Sequence, residues 1–366
     1  MEVVFFPRND YPNNIEVCNH RFGKSMTYTE QTDKLDASAF YKVMALAENY
    51  GIKVGAFTNP MNGVDNVPDA DALEYINAGL LWTDIYWRYI GMLRDTEVTQ
   101  AIFNEKSNEQ EDSFISRWGR KPIAISYALG NYTYKDYVPS RYLGGRNSSY
   151  LDADTDYGKS FEGTFLGTPA NEYTLNRFTF KSSSTRFYDY AADRVGYDSA
   201  LQHSIDLIDA TYLNHGWLNN FSHWNDYISH DHEDWLNGYF AMLAQKKSQY
   251  NNDIHFCGYG EAVAYLVYRS MISKAVMYSP TKNANTQLII RLEAKNSVSL
   301  NGVNTTSIDT DLLQIPISIK FSTAGTPLAG QNIKSDCNLI SLGNNQYIVE
   351  IPYNEYAGAV IEKVNS

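Results

Sequence analysis

Cysteine is scarce in this chain. Its three cysteines, Cys18, Cys257 and Cys337, lie far apart among 366 residues with no CxxC spacing. An odd, dispersed set neither pairs fully nor builds a metal signature, so buried or incidental thiols are the expected reading. Long apolar runs are missing as well. No stretch approaches the ~18 residues that a membrane-crossing helix needs. The opening residues, MEVVFFPRNDYP, carry a short apolar run with no basic segment before it and no small-residue cleavage site, so they do not read as a signal peptide. With a leader already removed the chain would suit the cell surface, and otherwise the cytoplasm. Positive charge is in deficit: 30 Lys and Arg against 42 Asp and Glu leave a net charge of −12. Without a basic stripe, nucleic acid and anionic membrane surfaces are poor partners. Gly144 and Gly145 beside Arg146 are followed by no P-loop or dinucleotide fingerprint. No serine sits in a strand–turn–helix GxSxG context, so a serine hydrolase gains no support.

What the chain has in plenty is aromatic residues, 14% of the total and led by 29 Tyr. Flat amphipathic rings suit sugar, and they equally fill α/β and β-rich cores. At 43% apolar and 20% charged, the composition is globular, and the length accommodates about two domains.

Residues 1–278 alternate strand-like and helix-like segments, a βα pattern. The expected strands are Lys24–Tyr28, Lys53–Phe57, Leu80–Trp82, Pro122–Tyr127, Phe178–Lys181, Trp217–Phe221 and Ile254–Cys257. Each is short and mostly apolar, as in strands buried on both faces. Helices are expected at Ala37–Tyr50, Ala70–Ala78, Glu97–Trp118, Asp198–Leu213, Asp234–Ser248 and Gly260–Met277. Thr29–Asp36 reads as a polar turn past the first strand, with Asp36 capping the helix that follows and Gly51 closing it. Trp235, Leu236, Tyr239, Phe240 and Leu243 repeat at the spacing of one helical face and read as core. Residues 131–186, rich in Tyr, Gly, Ser and Asp, read as an irregular excursion over the C-terminal ends of the strands.

After Pro280 the texture changes. Short runs such as TQLIIRLEA, QIPISIKFS and QYIVEIP are separated by Gly, Asn and Pro. Ile315, Ile317, Ile319 and Phe321 alternate, the pattern of a strand with one buried face. Residues 281–366 are therefore expected to form a small β-sandwich.

The ordered set of segments in 20–275 resembles the polysaccharide deacetylase family, the NodB-homology group of carbohydrate esterase family four. MTYTEQTD stands where that family has TFDD, and AENYGIKVGAF follows as its kyGIkatfF does. NAGLLWTDIYW and FISRWGRKPIAISYALGNYT match its next two strand–helix steps. LNHGWLNNFSHWND resembles the strand bearing the catalytic histidine, and YGEAVAYLVYRS the closing helix. The resemblance implies a distorted (β/α) barrel, a carbohydrate ligand, and one divalent metal held by an Asp and two His.

The chemistry departs from that pattern. Thr29 and Glu30 stand where the family has its two aspartates, and a threonine cannot act as general base. WTDIYWRY holds no histidine where two metal ligands belong, and Asp84 is the metal-capable side chain there. A metal on Glu30 and Asp84 would be of the Mg, Mn or Ca kind rather than zinc. The strand end SYALG also lacks the family's proline and arginine. His223 survives at the position of the general acid, and Asp33 could serve as base. Trp82, Tyr127 and Trp224 are the candidate sugar contacts. Three functions compete: a deacetylase with substituted ligands, a deacetylase-fold protein that binds glycans without catalysis and needs no metal, and a glycosidase with Glu30 and Asp84 as its carboxylate pair.

Two further clusters carry little. ISHDHEDW groups His230, Asp231, His232, Glu233 and Asp234 before a helix; such a density can bind a metal and, close after His223, could supply replacement ligands, but the pattern better suits capping and the macrodipole. In DADTDYG, counting from Asp152 puts Gly163 at the twelfth position where a calcium loop needs Glu, so a solvated acidic loop is expected.

Overall fold

A computed structural model describes residues 4–6, 13–19, 30–59, 67–87, 98–127, 133–146, 164–165, 201–202, 204–206, 208–209, 212, 217–222, 233–250, 254–294, 299–300, 303–304, 309–354 and 357–364. They divide into two compact units, the described residues from Asn13 to Val263 in one and those before Asn13 and from Ala264 on in the other. The first strand, β1 (Val4–Phe6), belongs with the C-terminal unit.

The α/β unit runs β2 (Asn13–Asn19), α1 (Glu30–Tyr50), β3 (Val54–Thr58), α2 (Asp69–Asn77), β4 (Leu81–Trp87), α3 (Gln100–Trp118), β5 (Ala124–Tyr127), β6 (Gly144–Arg146), β7 (Thr164–Phe165), β8 (Trp217–Ser222), α4 (Glu233–Gln249), β9 (Ile254–Phe256) and the start of α5 (Tyr259–Met271). The strand order is β7-β6-β5-β4-β3-β2-β8. All neighbours are parallel except β6 and β7. Parallel neighbours demand crossover connections, which α1, α2 and α3 supply in turn. β2 pairs with β8 along Asn14–Asn19, with β3 at Val17–Asn19 and with β9 at Asn13–Ile15. Shared residues put β8 on one edge of β2 and both β3 and β9 on the other, with β9 level with the start of β2.

Several sequence expectations change here. Glu30–Asp36 is helical, not a turn, and Asp36 lies within α1 rather than capping it. Glu, Gln, Lys and Leu are good helix formers, and acidic residues favour a first turn, which explains the early start. Ala39, Phe40, Val43, Met44 and Ala47 then form the buried stripe of α1. Gly51 closes that helix with φ of 62°, as its position leads one to expect. The strand expected at Leu80–Trp82 runs on to Trp87, because Ile85, Tyr86 and Trp87 are buried and pair with β5. The excursion at 131–186 is partly regular: a 3-10 turn at Lys135–Ser140 leads into β6, and Tyr134, Val138 and Tyr142 are buried. The strands expected at Lys24–Tyr28 and Phe178–Lys181 lie outside the described residues. In α4, Leu236, Tyr239, Phe240 and Leu243 are buried, so that face is core.

The C-terminal unit holds two four-stranded antiparallel sheets. Its strands after α5 are β10 (Ile272–Tyr278), β11 (Gln287–Ala294), β12 (Ser299–Leu300), β13 (Val303–Asn304), β14 (Ile317–Ser322), β15 (Ile333–Ser335), β16 (Asn338–Gly343), β17 (Gln346–Ile351) and β18 (Gly358–Lys363). One sheet orders β1-β14-β17-β16, the other β10-β11-β18-β15, and β12 and β13 form a separate ribbon. Leu288, Ile290 and Leu292 are buried along β11 while Arg291 and Glu293 are exposed, a half-buried strand with period two. Ile317, Ile319 and Phe321 are buried along β14 as the alternation implies. The helix expected at Gly260–Met277 ends at Met271, and ISKAVMY continues as β10. Its residues pair with β11 through a register shift after Ile272. Tertiary pairing overrides the local helical pattern there.

Candidate functional site around Asp84

Asp84 occupies the middle of β4, not a strand end, and is 1% exposed. Its carboxylate accepts four N–H groups. Oδ1 takes the backbone N–H of Ile123 at 3.3 Å and of Ala124 at 3.2 Å, at the start of β5. Oδ2 takes the indole N–H of Trp82 at 2.9 Å and the backbone N–H of Gly260 at 2.9 Å. A carboxylate offers about four lone-pair directions, so this one is fully engaged.

The bond to Gly260 is a helix cap delivered from a neighbouring strand. The N–H of Ala262 donates to the carbonyl of Gly258, which makes Gly258 the N-cap of α5. A capping side chain would serve an N–H of the first turn. Gly258 has none, and a Cβ there would lie 2.3 Å from Trp82 Cδ1. Asp84 reaches across and fills the role. A Cβ on Gly260 would meet Asp84 Oδ2 at 2.5 Å, so that position is confined to glycine too. Glu261 completes the cap: its Oε2 accepts the N–H of Gly258 at 3.1 Å, half of a capping box. Glu261 is also 1% exposed and receives Lys53 Nζ at 2.9 and 3.1 Å.

Trp82 is held on two sides, by Gly258 and by Arg120, whose guanidinium lies 4.1 Å from the ring centroid. Arg120 also donates through Nη2 to the carbonyl of Thr83 and, at 3.3 Å, to its hydroxyl. Burial pushes the Asp84 carboxyl up to about 6. The Arg120 charge and the N–H donors of Trp82, Gly260 and Ala124 pull the other way. Burial likewise lowers the Arg120 guanidinium, against the pull of Asp84.

This donor set fits a buried anion and does not fit a metal ligand. A cation would have to displace N–H donors from both oxygens. The other metal candidate, Glu30, opens α1, and Asp33 lies in the first turn of the same helix. His223 and Trp224 follow β8 directly and lie outside the described residues. Tyr127 ends β5 in a buried aromatic cluster, 5.2 Å from Tyr134, which is 4.6 Å from Trp87. A Cβ on Gly145 would lie 2.4 Å from the Tyr127 hydroxyl, so the ring is packed against β6.

No protein-family model and no curated protein matches the chain. Several solved structures resemble it at low identity, among them the following three. A putative polysaccharide deacetylase from Mycobacterium smegmatis is 10% identical, over 75% of this chain and 97% of that one, with a TM-score of 0.48. A probable polysaccharide deacetylase from Pseudomonas aeruginosa PAO1 is 13% identical, over 69% and 90%, with a TM-score of 0.44. A putative glycoside hydrolase/deacetylase from Parabacteroides distasonis is 10% identical, over 78% and 80%, with a TM-score of 0.41.

Reading residues by type missed Arg120, Lys53, Gly258, Gly260 and Glu261. One signal was present: GYGE places Glu three residues after a glycine at a helix start, the spacing of an N-terminal cap. Nothing local ties that cap to Asp84, which is 176 residues away in the chain.

Proposed function

We propose that this chain is a polysaccharide-deacetylase-like protein of carbohydrate metabolism, and that it binds glycans without metal-dependent deacetylation through Glu30 and Asp84. One observation carries the reading: the four N–H donors on Asp84. They leave the residue that would anchor a substituted metal site engaged as a helix cap. The ordered motifs of the sequence support a carbohydrate ligand, and the loss of the family's Asp and both His fits a scaffold kept for binding. The same engagement weighs against Glu30 and Asp84 as a glycosidase pair, since a buried, saturated carboxylate cannot reach a glycosidic bond.

Acetylated xylan and acetylated chitooligosaccharides should release no acetate, with or without added Mg, Mn or Zn. A glycan array should give binding that EDTA leaves unchanged. Acetate release that EDTA abolishes, and that His223→Ala also removes, would return the chain to the active deacetylases.

A further inference from the structure

Strand β1 belongs to a different unit from the strand that follows it in the chain. Val4–Phe6 pairs with β14 of the C-terminal unit, whereas β2 opens the α/β unit at Asn13. Six residues, Pro7 to Pro12 with the sequence PRNDYP, join the two strands. Three register pairs hold β1 in place: Val4 with Lys320, Phe5 with Ile319 and Phe6 with Ser318. The place it fills has to be filled. Ile317, Ser318 and Ile319 of β14 are 0% exposed, and β14 lies between β1 and β17 in its sheet. Without a strand at that edge, backbone N–H and C=O groups of a buried strand would lose their partners. The pairing itself does not require that strand and edge come from one chain.

We infer that β1 is exchanged between two copies of this chain, so that the β1 of each copy fills the β14 edge of the other. The occupant is fixed by complementarity already present: the β1 of a second copy makes the same three register pairs at the same edge. The closed and the exchanged forms therefore share these contacts and differ in the hinge, which is what makes strand exchange a low-cost route to a dimer. The composition of the hinge favours the exchanged form. A proline holds the residue before it in extended backbone, and Phe6, directly before Pro7, ends β1 in that conformation. Pro7 follows β1 and Pro12 precedes β2, and each fixes its own φ, which leaves the hinge few ways to bend back onto its own chain. The inference is independent of the glycan-binding reading.

Val4→Cys combined with Lys320→Cys puts a thiol on each side of one register pair in the full chain. Isotope-labelled and unlabelled chains are unfolded, mixed, refolded together and oxidised. Light scattering after size exclusion gives the mass, and mass spectrometry of the disulfide-linked peptides gives the origin of each half. The expected result is a dimer in which position 4 of a labelled chain is joined to position 320 of an unlabelled one. Each single cysteine variant, treated alike, controls for the native cysteines. Replacing both prolines, Pro7→Ala with Pro12→Ala, frees the hinge and should raise the dissociation constant of the dimer by about tenfold. That measurement, by sedimentation, decides the matter if the two-cysteine variant does not fold. A chain that stays monomeric at every concentration overturns the exchange. So does a dimer whose disulfides never join two labels, since its interface then lies elsewhere. A dimer that the proline replacements leave equally tight also overturns it.

Discussion

Asp84 shows how a single carboxylate can look catalytic in a sequence and serve as a cap in the fold. Its two oxygens take up backbone N–H groups from β5 and α5 and the indole N–H of Trp82. Asp84→Asn converts one acceptor oxygen into a donor facing N–H groups. The variant should lose about 2–4 kcal/mol of unfolding free energy in urea titrations at neutral pH. The pH dependence has a definite sign. Burial raises the folded carboxyl to about 6, above its unfolded value, so its protonated form favours folding. That contribution is complete below about pH 4 and disappears as the pH rises through 6. The stability difference between native and Asp84→Asn chains should therefore shrink, by about 3 kcal/mol, from about pH 4 to about pH 7. At Gly260 a methyl group would collide with the same carboxylate. Gly260→Ala should lower stability by about 1–3 kcal/mol, read as a drop in the thermal midpoint.

At the scale of the element, α5 depends on partners outside itself. Its N-terminus combines an in-helix carboxylate, Glu261, with a cap lent by β4, and Lys53, just before β3, supplies the countercharge. Glu261 is buried and Lys53 is 17% exposed, so the pair is only weakly screened. Lys53→Met strips the cation from a buried carboxylate and should cost about 3 kcal/mol, with Glu261→Gln in the same background restoring part of it. Calorimetry of the two single variants and the double variant measures that coupling. β4 makes the complementary point. Extending it from Trp82 to Trp87 moves Asp84 from a strand end to a strand middle, and that shift of a few residues turns an expected ligand into a buried hub.

At the scale of the molecule, a parallel α/β unit and an antiparallel β unit carry different kinds of information. The β unit recruits a strand from the very start of the chain, with Val4–Phe6 pairing β14 at Lys320–Ser318. The α/β unit carries the candidate chemistry, and the glycan binding proposed for it should be the same before and after exhaustive EDTA treatment when measured by titration. A metal-dependent loss of affinity would place a cation in the binding event and contradict the reading of Asp84. Among the described residues no helix is long and apolar enough to cross a membrane.

The α/β and β textures, most helix positions, the C-cap at Gly51 and the buried face of α4 were legible from periodicity and turn chemistry, because those signals are local. The period-two strands after Pro280 were legible for the same reason. The early start of α1 and the conversion of ISKAVMY into β10 were not: helix and strand compete there, and packing and pairing with β11 decide. Least legible was the role of Asp84. Sequence alone established a carboxylate where a metal-binding histidine was missing. Only the tertiary structure brought Gly260 and the start of β5 to its oxygens, and desolvation with four N–H donors makes it a cap.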